Sequence, residues 1–169
     1  MIASRKILIG VGLIFVIGIA MSYQIDAKNS SEVSNINSIA SIDDITDDMI
    51  LEQTIGYDET QFSSNNTDYN FKVSADYFLG CDYLMEISAK QKSKITIHYT
   101  TSMKKNTLKM ALILGGKKVK YLPVDKQKAT YTIPKGNTKF VLIGYKASGE
   151  IDVTMDKVKG VKFVQNSEW

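Results

Sequence analysis

The sequence predicts an all-β fold, an antiparallel β-sandwich preceded by one N-terminal apolar helix. Apolar and polar residues alternate through most of residues 94–156, as they do in strands that bury one face. Glycine and proline interrupt these runs at short intervals, where antiparallel strands need turns. Ahead of them, residues 7–21 form an unbroken apolar run without a charged residue. A chain of 169 residues with this pattern is typical of one domain with appendages.

Residues 1–23 are predicted to form a signal peptide or a membrane anchor helix. Arg5 and Lys6 precede the apolar run, which favours a cytoplasmic N-terminus with the rest of the chain outside. The 15 apolar residues span about 22 Å as a helix, somewhat less than the hydrocarbon core of a bilayer. Ala20 and Ala27 precede possible cleavage points, but neither lies in a clean small-x-small motif. We therefore prefer a single-pass anchor in the cell membrane and keep a cleaved, secreted form as the alternative.

Residues 24–53 are predicted to be a polar, acidic linker. Within it, residues 41–52 are compatible with one short helix, because Ser41 and Asp44 have the spacing of a capping box. Four aspartates between residues 43 and 48 suggest a calcium-binding loop as an alternative. A calcium loop needs a glycine at its bend and a distant bidentate glutamate, and this run lacks that spacing. We predict no metal site here.

The β-sandwich is assigned to residues 54–165, followed by a tail at 166–169 whose Trp169 has no predicted role. The clearest single strand lies at residues 69–75, where aromatic and aliphatic residues occupy every second position. Residues 82–88 alternate less regularly, and Gly80 separates the two segments.

Gly115-Gly116 predicts a hairpin, because a two-residue loop of this kind requires positive φ at both positions. In that register Leu114 pairs with Lys117 and Leu112 with Val119. The apolar residues of both strands then share one face.

Ser148-Gly149 predicts a second hairpin that pairs Gly144 with Val153 and sets Tyr145 opposite Asp152. Residues 139–145 are apolar on both faces, which indicates a central strand covered above and below. A tight turn is expected at residues 134–136, which read Pro-Lys-Gly.

Charge divides sharply along the chain. Residues 29–86 contain twelve acidic residues and one lysine (1 − 12 = −11), whereas residues 87–169 contain five acidic residues and seventeen lysines (17 − 5 = +12). The two parts either neutralise each other within one domain or present a lysine-rich face to lipid headgroups or an anionic wall polymer. Nucleic acid is not a predicted partner, because arginine, which suits base readout, is absent after Arg5.

Little in the sequence indicates catalysis. There is one histidine, His98, and one cysteine, Cys81, which we expect to be a buried apolar residue. A single cysteine excludes an internal disulfide, and two such ligands are too few for a typical zinc site. No Gly-x-Ser-x-Gly stretch supplies a serine nucleophile. We predict no catalytic residue, metal or cofactor.

The tyrosines offer the other candidate chemistry, since exposed rings can bind sugars. Most fall on faces predicted to be buried. Tyr145, with Asp152 opposite it in the predicted hairpin, is the exception, and these two residues form the candidate ligand-binding site.

Residues 107–119 and 129–145, with their paired runs and turns, resemble small secreted bacterial jelly-roll domains, including the prepeptidase C-terminal type. The resemblance implies a jelly-roll-like sandwich and a non-catalytic accessory role. We therefore expect a non-catalytic exported interaction module, tethered at the outer face of a bacterial membrane and bound to an envelope protein, an anionic wall polymer or a lipid surface. A cell-wall polymer or carbohydrate-binding module is the alternative, and a hydrolase of unassigned chemistry is the third possibility.

Overall fold

The computed structural model describes residues 38–60, 63–66 and 69–165. This part of the chain is mainly antiparallel β-structure, which confirms the all-β class. The predicted apolar helix at residues 1–23, the linker up to residue 37 and the tail at 166–169 lie outside the described residues. Among the helices in the described part, none combines the length and apolar composition needed to cross a membrane.

Nine strands and two short helical segments make up the described part. In chain order they are a 3-10 turn (Ile42–Asp44), α1 (Asp47–Glu52), β1 (Tyr57–Thr60), β2 (Ser63–Asn66), β3 (Asn70–Ala89), β4 (Ser93–Thr101), β5 (Leu108–Leu114), β6 (Lys118–Leu122), β7 (Lys128–Ile133), β8 (Gly136–Met155) and β9 (Val161–Gln165).

The nine strands share one hydrogen-bonded sheet built on β3 and β8, which have 20 residues each and pair along most of their length. On the edge that faces away from β8, β3 pairs with β2, β1 and β9 in turn. On the edge that faces away from β3, β8 pairs first with β5 and then with β4. β6 pairs with the outer edge of β5, and β7 pairs with the outer edge of β4. We call the two parts the β5–β6 half and the β4–β7 half. The prediction of a central strand at residues 139–145 is confirmed.

The sheet folds back on itself. Phe71 belongs to the β4–β7 half and Phe140 to the β5–β6 half, yet their rings meet edge to face with centroids 5.0 Å apart. Phe140 pairs with Met85, which lies 14 residues (85 − 71) beyond Phe71 on β3. That is about 46 Å of extended strand. Only a sharp bend in the long pair can bring the two rings together, so the two halves enclose one core.

The bend coincides with irregular pairing in the middle of the long strands. The register between β3 and β8 shifts at three points between Ala75 and Met85, and such bulges bend a strand locally. Gly144 lies in this region beneath Phe78, and a Cβ atom at that position would overlap the Phe78 ring. Glycine is therefore required there because the aromatic side chain packs directly on the backbone.

The main core lies between the two halves, with side chains from each of the strands β3 to β9. Its largest fully buried members are Phe71, Phe78, Leu84, Met85, Ile87, Ile95, Ile97, Leu108, Met110 and Phe140.

The hairpin at Gly115-Gly116 is present, but the predicted register is wrong by one residue. Leu114 pairs with Lys118 rather than Lys117, so the loop contains three residues. The slip is tolerated because β5 is buried on both faces, with Leu112 in the main core and Ile113 on the outer side. Neither register would leave an apolar face of β5 in water.

The predicted hairpin at Ser148-Gly149 is wrong, because β8 runs through these residues without reversing. Gly149 pairs with Ala75, and Val153 pairs with Phe71. Lys146 and Gly149 have positive φ values of 51° and 132°, which here belong to a bend within one strand. A glycine with positive φ suits a bulge as well as a hairpin, and the local sequence does not distinguish them. The Pro-Lys-Gly segment at 134–136 connects β7 to β8, which are not neighbours in the sheet.

Residues 39–55, which we call the strap, pack on the outer face of the β5–β6 half. The sequence assigned most of them to the linker, but the structure buries five of their isoleucines at positions 39, 42, 45, 50 and 55. The predicted capping box is present at the 3-10 turn, where Ser41 and Asp44 bond reciprocally to backbone N–H groups. The packed unit therefore includes residues upstream of the predicted boundary at 54.

Replacing Phe140 with alanine is expected to lower the free energy of unfolding by about 3–5 kcal/mol, because it leaves a cavity between the two halves. Val164, which is 52% exposed, supplies the control: Val164→Ala should change the unfolding free energy by less than about 0.5 kcal/mol. Urea denaturation measures both.

A double-mutant cycle tests the fold of the sheet directly. Phe71→Ala and Phe140→Ala together should cost less than the sum of the two single changes, with a coupling energy of about 0.5–1.5 kcal/mol from the ring contact. Strictly additive costs would contradict the cross-layer contact.

Candidate binding cleft

Polar contacts at its edges hold the strap on the sheet, in addition to the buried isoleucines. The sheet supplies the donor in each case. The contacts are Lys109 Nζ to Asp43 Oδ1 (2.7 Å) and to the Ile42 carbonyl (3.3 Å), Tyr121 Oη to Asp47 Oδ1 (2.6 Å), Tyr83 Oη to the Ile50 carbonyl (2.8 Å), and Lys139 Nζ to Gln53 Oε1 (3.3 Å). The acidic strap and the lysine-rich sheet therefore meet in one unit. This agrees with the hypothesis that the acidic and basic parts of the sequence neutralise each other within one domain.

An open cleft of about 600 Å³ lies where the strap ends. Gln53 caps α1 in the left-handed conformation (φ 53°), and its N–H donates to the Met49 carbonyl, so the helix stops there. The chain then leaves part of the outer face uncovered next to the β5–β6 hairpin and the start of β8. Leu51 from the strap is the partly exposed apolar residue of the cleft, and the buried Ile113 from β5 borders it.

The polar side of the cleft comes from neighbouring strands. Glu86 on β3 pairs in register with Lys139 on β8, which in turn pairs with Ile113 on β5. These three side chains form a row across the floor, and Lys135 and Asn137 complete the wall near the β5–β6 loop. Of the ten lining residues, five are polar or charged, three are glycines and two are apolar, so the cleft is suited to a polar ligand.

Lys139 is the most constrained polar residue of the cleft. Its ammonium group donates to Gln53 and lies 5.4 Å from the centroid of the Tyr83 ring, a cation–π distance. Among the described residues, no carboxylate is within 4.0 Å of the ammonium groups of Lys135 or Lys139. In the described part, the cleft thus holds two positive charges and one carboxylate, Glu86, which forms no ion pair with either lysine.

The structure separates the two residues that the sequence proposed as a ligand site. Tyr145 is half-buried against the outer apolar cluster, its N–H donates to the Thr107 carbonyl (2.9 Å), and Lys146 covers its ring at 5.4 Å. Asp152 is exposed and lies opposite Lys72 and Thr100, not opposite Tyr145, because the predicted hairpin is absent. Their role in ligand binding stays a prediction, but they do not form one site.

Asp152 lines a second, shallower cavity of about 320 Å³ on the β4–β7 half. Lys72 in this cavity forms an ion pair with Glu150 at 3.0 Å, and both side chains are about half exposed (50% and 56%). Solvent screens such a pair, so it contributes little to stability. Its lysine charge is already matched by the neighbouring carboxylates.

His98 lies on the exposed outer face of the β4–β7 half. Its Nε2 is 3.1 Å from Asp156 Oδ1, with side-chain exposures of 42% and 54%. Thr154 and Lys128 are its partners across the strands, and no serine or cysteine is among them. In the described residues, no group of three or more histidine, cysteine or acidic side chains is arranged to hold a metal ion.

Cys81 is buried under the strap, 1% exposed, which confirms the prediction for this residue. Burial, together with the neighbouring Asp82 carboxylate, raises the pKa of the thiol to about 12. Burial also raises the pKa of Tyr83 and of Tyr121, and the nearby Cys81 adds to the increase at Tyr83. On the inner side, burial raises the pKa of Tyr99 to about 12.

Sequence reasoning missed the cleft, including Gln53, Lys135 and Lys139. Each is an ordinary polar residue in its own segment, and they meet only because β5, β8 and the strap pack together. The spacing of the strap isoleucines was the available signal for a buried segment upstream of the strands. A scan against protein-family models and a search of curated proteins gave no match to this chain.

Stability should fall at alkaline pH. Buried thiol and phenol groups with raised pKa values keep their protons in the folded chain, whereas the unfolded chain loses them above about pH 8.5 for cysteine and about pH 10 for tyrosine. The unfolded state then binds fewer protons, so the urea midpoint should decline from about pH 9 up to about pH 12.

Tyr99→Phe keeps the ring but removes one of these groups, and the decline above about pH 10 should be shallower in that variant. A urea midpoint that is flat up to pH 12, or equal slopes in both proteins, would contradict this assignment.

Cys81 also reports whether the strap is docked. The native thiol should react slowly with an aromatic disulfide reagent at about pH 8, because it is buried and protonated. Ile50→Asp places an uncompensated carboxylate in the strap contact, which should release the strap and speed labelling at least tenfold.

The control is Thr132→Asp, an exposed change on the other half that should leave the labelling rate unchanged. Circular dichroism should show that Ile50→Asp retains its β-structure. Equal labelling rates would refute the strap as the cover of Cys81, and loss of the β-spectrum would refute a strap that undocks separately.

Proposed function

We propose that the chain is a non-catalytic interaction module, exported and held at the outer face of a bacterial membrane by its N-terminal apolar segment. The observation that carries this proposal is the cleft of about 600 Å³ between the strap, the β5–β6 hairpin and the start of β8. Polar and charged groups from the strap, β3 and β8 converge there, as they do in binding sites. Its partner is a component of the cell envelope.

We propose further that the fold belongs to the β-sandwich class and is jelly-roll-like. The contact between Phe71 and Phe140, and the single core between the two halves, support two layers packed face to face. A relationship to prepeptidase C-terminal-type domains would fit the same non-catalytic role. That relationship rests on the resemblance in strands and turns alone, and fold analogy does not assign function.

The tether defines where such a module can act. If the anchor ends at residue 23, the 14 residues from 24 to 37 reach at most about 50 Å when fully extended. The strap is the first described segment after them, and the cleft lies beside its last residues. A partner of the cleft would therefore lie in the membrane-proximal part of the envelope.

The other two functions have less support. A carbohydrate platform needs an exposed ring, whereas Tyr145 is half-buried and covered by Lys146. A hydrolase built on His98 would need a nucleophile beside it and a site that excludes water, whereas the His98–Asp156 pair lies on an exposed strand face.

Site-specific photo-crosslinking in cells tests the proposed site. A benzophenone side chain at Asn137, an exposed residue of the cleft, should give discrete adducts that sediment with membranes. The same group at Thr132, exposed on the opposite half, should give none of these adducts. Identical adducts from both positions, or none from Asn137, would contradict a binding function of the cleft.

A further inference from the structure

We infer that the cleft binds a strand of an anionic polymer, with phosphate or carboxylate groups placed against the ammonium groups of Lys135 and Lys139. This inference rests on the proposed function, because it names the ligand class of the same site.

The lining of the cleft carries net positive charge. Lys135 and Lys139 contribute two positive charges to the lining and Glu86 contributes one negative charge, which leaves a positive balance. Neither lysine has a described carboxylate within 4.0 Å. Lys139 is partly buried, so solvent screens its ammonium group less than that of a fully exposed lysine and an incoming anion gains more there.

Two contacts orient the ammonium group of Lys139. Gln53 Oε1 accepts one of its hydrogen bonds at 3.3 Å, and the Tyr83 ring supports the ammonium group from 5.4 Å. Both contacts orient the group without cancelling its charge. An anion that binds therefore loses less free energy to side-chain ordering than it would at a free lysine.

The shape of the site favours a polymer strand over a flat anionic surface. The cleft is a recess, and a bilayer surface meets protruding groups more readily than recessed ones. Gly116 and Gly136 have open space where a side chain would stand, so a ligand can approach the backbone there. Leu51, which is partly exposed, offers apolar contact to the carbon atoms of a polymer backbone.

The second cavity differs from the cleft in that its lysine forms an ion pair. Lys72 is paired with Glu150 at 3.0 Å, and Asp152 lies beside it. Its carboxylates outnumber its lysine, so an anion would be repelled. Charge balance therefore distinguishes the cleft from the cavity beside Lys72.

Binding of soluble polymers to the full-length chain in a neutral detergent tests the inference. The probes are polyphosphate, poly-glutamate and, as a neutral control, dextran. Lys135→Gln/Lys139→Gln should weaken anion binding about tenfold at low salt, since two charged hydrogen bonds are lost. The matched pair Lys104→Gln/Lys128→Gln removes the same charge from exposed positions outside the cleft and should change affinity less than about twofold.

Two further variants keep the test independent of folding. Lys135→Gln alone changes an exposed side chain and should still weaken binding severalfold. Glu86→Gln removes the carboxylate of the cleft and should strengthen binding, an effect that loss of folding cannot produce. Urea midpoints of all variants establish that each is folded.

Every outcome decides the inference. Binding of polyphosphate alone supports a phosphate ligand, binding of poly-glutamate alone supports a carboxylate ligand, and binding of both supports a general polyanion site. No binding, equal binding of dextran, or equal losses in the two lysine pairs would overturn it. Crosslinks from Asn137 that persist in Lys135→Gln/Lys139→Gln would overturn the anionic ligand and leave the proposed function intact, whereas absence of crosslinks would remove both.

Discussion

The edge-to-face contact between Phe71 and Phe140 marks the constraint on which the rest of the molecule depends, namely that one long antiparallel pair must fold over itself. β3 and β8 each belong to both halves, so neither half can form a core alone. The irregular pairing near the middle of β3 supplies the bend, and Gly144 makes room for Phe78 inside it. Because the bend places the inner faces together, it also turns two outer faces toward the surroundings.

One outer face is covered and the other is not, because their residues differ in polarity. On the β5–β6 half the outer face is apolar at Ala111, Val141 and Ile143, so it needs a cover, and the strap supplies one. On the β4–β7 half the outer face is polar, and residues such as His98 and Asp152 need no cover. The cleft lies where the strap ends, and there the outer face carries the polar side chains of Glu86 and Lys139.

The sequence predicted the all-β class, the Gly115-Gly116 hairpin, the buried Cys81 and the central strand at 139–145, because these depend on local alternation and turn chemistry. It failed at Ser148-Gly149, where the same residues that allow a reversal allow a bend, and only pairing with Ala75 distinguishes them. The register at Gly115-Gly116 was equally open, since both faces of β5 are buried. The cleft could not be predicted, because it joins three segments that are distant along the chain.

The strap also explains how an acidic segment can cover a lysine-rich sheet and still leave positive charge for a ligand. Its aspartates lie toward its start, where Asp43 neutralises Lys109 and Asp47 accepts from Tyr121. At its end the strap presents an amide, Gln53, to Lys139. A glutamate at that position would pair with the lysine and remove the charge that an anion needs. An amide holds the same lysine in place and leaves its charge available, as the proposed anion site requires.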